Sequence, residues 1–291
     1  MKPEIIIFLP LPCQYGDQLI KSLHARSRFF KNFGVHVPDP KTYSHKLSHF
    51  STSDDTRIFT STGRKFFLDI MEARLHKRIV LSLQREYIWQ QDPGNDFELL
   101  PKLNLIADRL SSFFDGWSLK FALGIVNFGR IISMKHNLPT KNSIEYFELS
   151  SLSLPFWSDA LCALIDEFPD VKIEIWKHEY AYFQWPEILR RIGNVPDGVA
   201  IPASLDMVEK YLNAGARFDL RDHIRRLPPQ NDYHFSKVIR TCNESKSIMR
   251  KIARGDGLKA LPSNAMTLFD KSYVEDIHIL KNETRLFLFD F

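Results

Sequence analysis

The sequence predicts an α/β fold with a parallel sheet and a mostly helical carboxy-terminal portion from about residue 186. Three observations predict it. The chain opens on a continuous β-branched and apolar run, Ile5–Leu9. Similar short runs then alternate with segments whose apolar residues recur every three or four positions, the order expected of parallel strands joined by crossover helices. After Trp185 the strand-like runs give way to helical spacing.

Each element follows from its own pattern. Ile5, Ile6, Ile7, Phe8 and Leu9 read as a strand buried on both faces. From Asp17, the residues Leu19, Ile20, Leu23, Phe30 and Phe33 keep helical spacing, and Gly34 supplies a left-handed stop. Phe66, Phe67, Ile70, Met71 and Leu75 share a helical face before a strand at Ile79–Leu83. Leu99, Leu103, Ile106, Leu110 and Phe113 mark the next helix, closed by Gly116 before a strand at Leu119–Val126. Trp157, Leu161, Leu164, Ile165 and Phe168 mark another, with Ser158 as cap, Pro169-Asp170 as turn and a strand at Val171–Trp176. Further helices are expected over Pro186–Ile192, over Leu205–Ala214 with Gly215 as its stop, and over Asp232–Ala253. A last helix near Tyr273, Ile277 and Leu280 leads to a closing strand at Arg285–Phe289. Loops are expected at Asn194–Ser204 and Arg226–Asp232. With no repeat or low-complexity tract, residues 1–291 read as a single domain.

Composition narrows the class further. With 291 residues, 44% hydrophobic and 25% charged, the chain falls among globular proteins and can bury a large core. No run approaches the roughly 18 apolar residues of a membrane helix, and no signal peptide is recognisable, so no membrane association is expected. Cys13, Cys162 and Cys242 are odd in number and far apart, which suits a reducing, cytoplasmic setting. Charge is uneven: Lys210–Lys259 holds twelve Lys and Arg against five Asp and Glu. Arg221, Arg225, Arg226, Lys237, Arg240, Arg250, Lys251 and Arg254 read either as a solvated helix face or as a surface for an anionic ligand. No recognisable nucleic-acid module accompanies them, so no specific nucleic acid is expected.

In an open parallel sheet, ligands gather at the carboxyl ends of the strands. The segment Pro10-Leu11-Pro12-Cys13-Gln14-Tyr15-Gly16-Asp17-Gln18-Leu19 occupies that position after the first strand. A phosphate-cradling loop needs converging backbone N–H groups, a lysine and a hydroxyl residue at the helix start. This loop has one glycine and neither of the others, and Asp17 reads as an amino cap whose carboxylate repels phosphate.

The order of segments and several local phrases resemble a bacterial branch of the sulfotransferase-like P-loop family. The phrases are Cys13–Leu23, Gly34-Val35-His36-Val37-Pro38-Asp39-Pro40-Lys41-Thr42-Tyr43, Val80-Leu81-Ser82, Trp157-Ser158-Asp159, and Pro169-Asp170-Val171 through Trp176 to Trp185-Pro186-Glu187-Ile188-Leu189. The resemblance implies a three-layer P-loop fold and 3′-phosphoadenylyl sulfate as cofactor if the protein is active. On it, the family lysine falls on Cys13, the hydroxyl residues fall near Gly16 and Asp17, and the later arginine falls on or near Gly124. Cys13, Gln14, Gly16, Asp17, Arg130 and Ser133 become the candidate cofactor-binding set, the last two just downstream with altered spacing. The implied function is a pseudoenzyme that keeps the scaffold for an anionic or carbohydrate ligand. The alternative is an active transferase of a sulfuryl or related anionic group to a hydroxyl or carbohydrate acceptor.

Two other constellations carry chemistry. Lys177-His178-Glu179 follows the strand Val171–Trp176, where His178 can act as a general base and Glu179 can orient it or bind an acceptor group, or both can serve as a satisfied strand end. His45 and His49 have the i, i+4 spacing that can share a metal on a helix, without a third ligand in register, or form a solvated surface pair. No nucleophile elbow, C-x-x-C pair or G-x-G-x-x-G loop is present.

Overall fold

In the computed structural model the described residues are 2–11, 16–52, 65, 68–69, 75–88, 103–129, 131, 156–210, 212–241 and 263–289. Within them, β1 (Glu4–Leu9), β2 (Val35–His36), β3 (Arg78–Ser82), β4 (Ser118–Ile125), β5 (Lys172–Lys177) and β6 (Leu286–Phe289) form one sheet. Its order is β2-β3-β1-β4-β5-β6, and every pair is parallel.

The continuous apolar strands have the cause the sequence suggests: both faces are covered. On one face Ile5, Ile7, Leu81, Phe121, Leu123 and Ile175 meet α3 (Pro40–Thr52), α5 (Leu103–Phe113), α6 (Trp157–Glu167) and α10 (Ser263–Asn282). On the other, Ile6, Phe8, Val80, Ala122 and Trp176 meet α1 (Gln18–Ala25), α2 (Ser27–Lys31), α7 (Ala181–Ile192) and α9 (Asp232–Thr241). The result is three layers, and each fully buried large aliphatic side chain contributes roughly 1.5–3 kcal/mol. A short helix, α4 (Arg85–Ile88), follows β3, and α8 (Ala214–Arg226) adds Leu220, its one buried residue, to the second core.

The connection from β1 to β2 runs one way along the sheet; those from β2 to β3, β3 to β4 and β4 to β5 run the other. A uniform crossover hand therefore places α1 and α2 opposite α3, α5 and α6. This reversal makes the carboxyl end of β1, between β3 and β4, the topological switch point where α/β sheets bind ligands.

Several expectations are corrected. The helix beginning near Asp17 is two helices, and the strand β2 and the polar helix α3 lie beyond Gly34, whose φ of +75° ends α2 as expected. Ser158 is not the cap of α6, because Trp157 is already helical; Asp276 of α10 caps it from across the fold. Helix α7 starts at Ala181, with Pro186 inside it, because Tyr182, Phe183 and Trp185 are drawn into the core one turn earlier. The expected helix Leu205–Ala214 is replaced by turns and one 3-10 turn, Val208–Lys210. Gly215 sits at the start of α8, where the Asn213 side chain accepts a bond from Ala216 N–H at 2.9 Å. Most of the expected helix at Phe66–Leu75 and the end of Asp232–Ala253 lie outside the described residues.

Candidate functional site

The carboxyl edge is built from the residues that follow β1, β3, β4 and β5. After β1, Pro10, Leu11 and Gly16 are buried, and Asp17 stands at the amino-cap position of α1. Its carboxylate caps no N–H group; it pairs instead with Lys21 at 2.5 Å, one turn along the helix. Cys13 and Gln14 lie outside the described residues, as do Arg130 and Ser133 after β4.

Gly124 explains why no arginine stands at that point of β4. A Cβ there would lie 2.9 Å from Nε1 of Trp176 and 3.1 Å from Cδ1 of Leu11. The position is filled by neighbouring side chains, and the indole of Trp176 stacks with Phe8.

The ends of β4 and β5 are joined to α10 by a polar cluster. Glu179 accepts from the Asn127 backbone N–H at 3.4 Å and from the Tyr273 hydroxyl at 2.9 Å. The Tyr273 hydroxyl also lies 3.3 Å from the Ile125 carbonyl. Asn127 donates its amide N–H to Asp270 at 2.7 Å, while its amide oxygen accepts from Gly129 N–H at 2.8 Å. His178 is buried beside this cluster at the start of a 3-10 turn. Glu179 is thus held by Asn127 and Tyr273, an arrangement that positions the strand end. Asn127, Asp270 and Tyr273 escaped the sequence reading because two come from a helix about 90 residues or more away in the chain. The one local signal is an Asn two residues after a strand.

Elsewhere the edge is satisfied by neutral groups and one ion pair. Ser82 N–H donates to the Tyr43 hydroxyl at 2.8 Å, and burial pushes that phenol well above its ordinary range. Gln84 N–H donates to Ser48 Oγ at 2.6 Å. Arg85 pairs with Glu86 at 3.4 Å. On α3, His45 Nε2 lies 2.7 Å from the Tyr87 hydroxyl and His49 packs edge-on against the same ring, so both imidazoles are organised around Tyr87.

Charge is concentrated at the opposite, amino edge. Glu4 pairs with Arg78 at 2.5 Å and with Lys120 at 3.1 Å. Glu174, 2% exposed, accepts from Lys120 at 2.8 Å and from Arg191 at 3.0 Å. The Arg191 guanidinium lies 3.3 Å above the Phe287 ring, and Arg78 donates to the Arg191 and Ile192 carbonyls at 2.6 and 3.0 Å. A cavity of about 630 Å³ opens over this network.

The basic carboxy-terminal region is partly neutralised. Arg221 makes two 2.6 Å bonds to Glu209, while Arg225 and Arg226 both pair with Asp222 at 2.8 and 2.7 Å. Arg250, Lys251 and Arg254 lie outside the described residues.

No helix among the described residues is long and apolar enough to cross a membrane. Comparison of the chain with protein-family models, with curated proteins and with solved structures finds no match.

Proposed function

We propose that this chain is a sulfotransferase-like scaffold of the P-loop type that no longer reads 3′-phosphoadenylyl sulfate and binds a hydroxyl-rich, carbohydrate-class ligand at its carboxyl edge. The observation that carries the proposal is the composition of that edge. Glu179, Asp270, Asn127 and Tyr273 offer carboxylates, an amide and a phenol, and no described arginine joins them. Such groups exchange hydrogen bonds with sugar hydroxyls, whereas two carboxylates repel a phosphate or sulfate. Two further features support the scaffold reading: β1 lies between β3 and β4 with its loop feeding α1, and the start of α1 carries a carboxylate already paired with Lys21.

Calorimetric titration with adenosine 3′,5′-bisphosphate tests the first half; no saturable heat is expected, and a micromolar, salt-sensitive dissociation constant overturns it. Screening immobilised neutral and acidic oligosaccharides tests the second. Retention of neutral glycans, weakened by Tyr273→Phe, is expected; retention of none overturns the assignment.

A further inference from the structure

At the carboxyl end of β3 the fold brings together three side chains able to ligate a metal. His45 and His49 stand one turn apart on α3, and Tyr87 belongs to α4, the short helix that follows β3. Residues four apart on a helix lie side by side, about 5–6 Å between their Cβ atoms, a spacing from which two imidazoles share one ion. No group of three His, Cys, Asp or Glu able to hold a metal occurs among the described residues. The third donor here is a phenol, supplied by the neighbouring helix. The Tyr87 hydroxyl lies 2.7 Å from His45 Nε2, with the two ring centroids 5.3 Å apart. His49 meets the same ring edge-on at 6.1 Å.

The two helices are held in this relation by bonds that involve none of the three side chains. Ser82 N–H, at the end of β3, donates to the Tyr43 hydroxyl at 2.8 Å. Gln84 donates its backbone N–H to Ser48 Oγ at 2.6 Å and its side-chain amide to Ser44 Oγ at 3.3 Å. Tyr43, Ser44, Leu47 and Ser48 form the buried face of α3, and Ile88 anchors α4 beside Tyr87. His45 is exposed and His49 half-buried, so an ion can reach them from solvent. A rigid frame of this kind presets the donor positions before a metal arrives.

We propose that His45, His49 and Tyr87 bind a divalent transition-metal ion of the imidazole-preferring class, copper(II) above zinc(II). Two donors, each about 2.0–2.1 Å from one ion and at a right angle, are about 2.8–3.0 Å apart. The 2.7 Å between His45 Nε2 and the phenol oxygen is close to that separation. Right-angled nitrogen and oxygen ligands suit copper(II), which also binds such donors more tightly than zinc(II) does. The ion takes the place of the proton between the two groups. The imidazole nitrogen gives its lone pair to the metal, the phenol becomes phenolate, and the phenol proton leaves to solvent. Two neutral imidazoles and one phenolate leave a single net positive charge and coordination positions open to water. The nearby charges do not oppose this: Arg85 and Glu86 pair with each other at 3.4 Å, and Lys46, next to His45 in the chain, does not share its helical face. The proposal is independent of what binds beside Glu179.

The test titrates the untagged full chain with copper(II), followed by visible absorption and electron paramagnetic resonance. Saturable binding with a phenolate-to-copper charge-transfer band and nitrogen hyperfine splitting is expected. Excess zinc(II) should bleach the band, and magnesium(II) should not. Tyr87→Phe should abolish the band while weaker copper binding persists through the imidazoles. His45→Ala and His49→Ala should each weaken binding about tenfold or more, whereas His278→Ala, at an exposed histidine of α10, should leave it unchanged. The band in the wild-type chain reads the phenolate directly, so the outcome does not depend on any variant folding. Absence of saturable binding, bound copper without the band, a band that survives Tyr87→Phe, or equal loss in His278→Ala overturns the proposal.

Discussion

Replacing Asp276 with alanine would remove the cap that α10 supplies to α6. Asp276 is fully buried, and its Oδ1 accepts from Ser158 N–H and Ser158 Oγ, both at 2.7 Å. No side chain of the preceding residue caps this helix. Losing an amino cap costs about 0.5–2 kcal/mol, and leaving a buried hydroxyl unpaired costs about 1–3 kcal/mol more. A loss of about 3 kcal/mol is therefore expected. For 291 residues the unfolding entropy is about 0.6 kcal/mol/K, so the midpoint should fall by about 5 °C. Calorimetric melting curves read this directly.

The pH dependence supplies the control. Burial raises the Asp276 carboxyl above its ordinary value, and the bonds from Ser158 and Trp157 only partly offset this. A carboxyl raised in the folded state adds stability that is fully present below its unfolded value and lost as the pH rises through its folded one. Wild-type protein should therefore lose stability relative to Asp276→Asn as the pH climbs from the ordinary Asp range, because the amide keeps an oxygen for Ser158 without the charge. Parallel pH curves for these two proteins, or an Asp276→Ala midpoint within about 1 °C of wild type, would refute the trans-capping argument.

Two further outcomes are expected. Glu174→Ala should destabilise the protein by about 1–3 kcal/mol in urea titration, because Lys120 would lose one of its two carboxylate partners and Glu4 alone would remain to balance three cations. Gly124→Ala should cost about 1–3 kcal/mol and alter tryptophan fluorescence, since the new methyl would press on the Trp176 indole and Leu11.

What the sequence disclosed depended on whether the deciding interaction was local. Strands β1, β3, β4 and β5 are legible because burial on both faces leaves continuous apolar runs, such as Ile5–Leu9. The two-residue β2 carries too little pattern, and α3 conceals its buried face behind Tyr43, Ser44, Leu47, Ser48 and Ser51, mostly small and polar. Pro186 marked a helix start by the usual rule, yet aromatic burial upstream moved that start to Ala181. Asp17 was legible as a helix start, but its preference for Lys21 over the backbone was not. The carboxyl-edge cluster was half legible. His178 and Glu179 stand out after β5, whereas Tyr273 and Asp270 enter from α10 and meet Glu179 and Asn127 only through the fold.

The late position of α10 and β6 in the chain has a consequence for synthesis. The strand β6 pairs with β5, and α10 supplies Asp276 to α6 and Tyr273 to Glu179, so these earlier segments wait for α10 and β6. Roughly a hundred residues separate Lys177 from Asn282. At elongation rates of about 5–20 residues per second, the outer side of β5 is without its neighbour for on the order of ten seconds. During that interval Ile173, Ile175 and Trp176 belong to an open parallel edge, and such pairings are slow to form because their partners are distant in sequence. The nascent chain thus carries this open edge until α10 and β6 emerge.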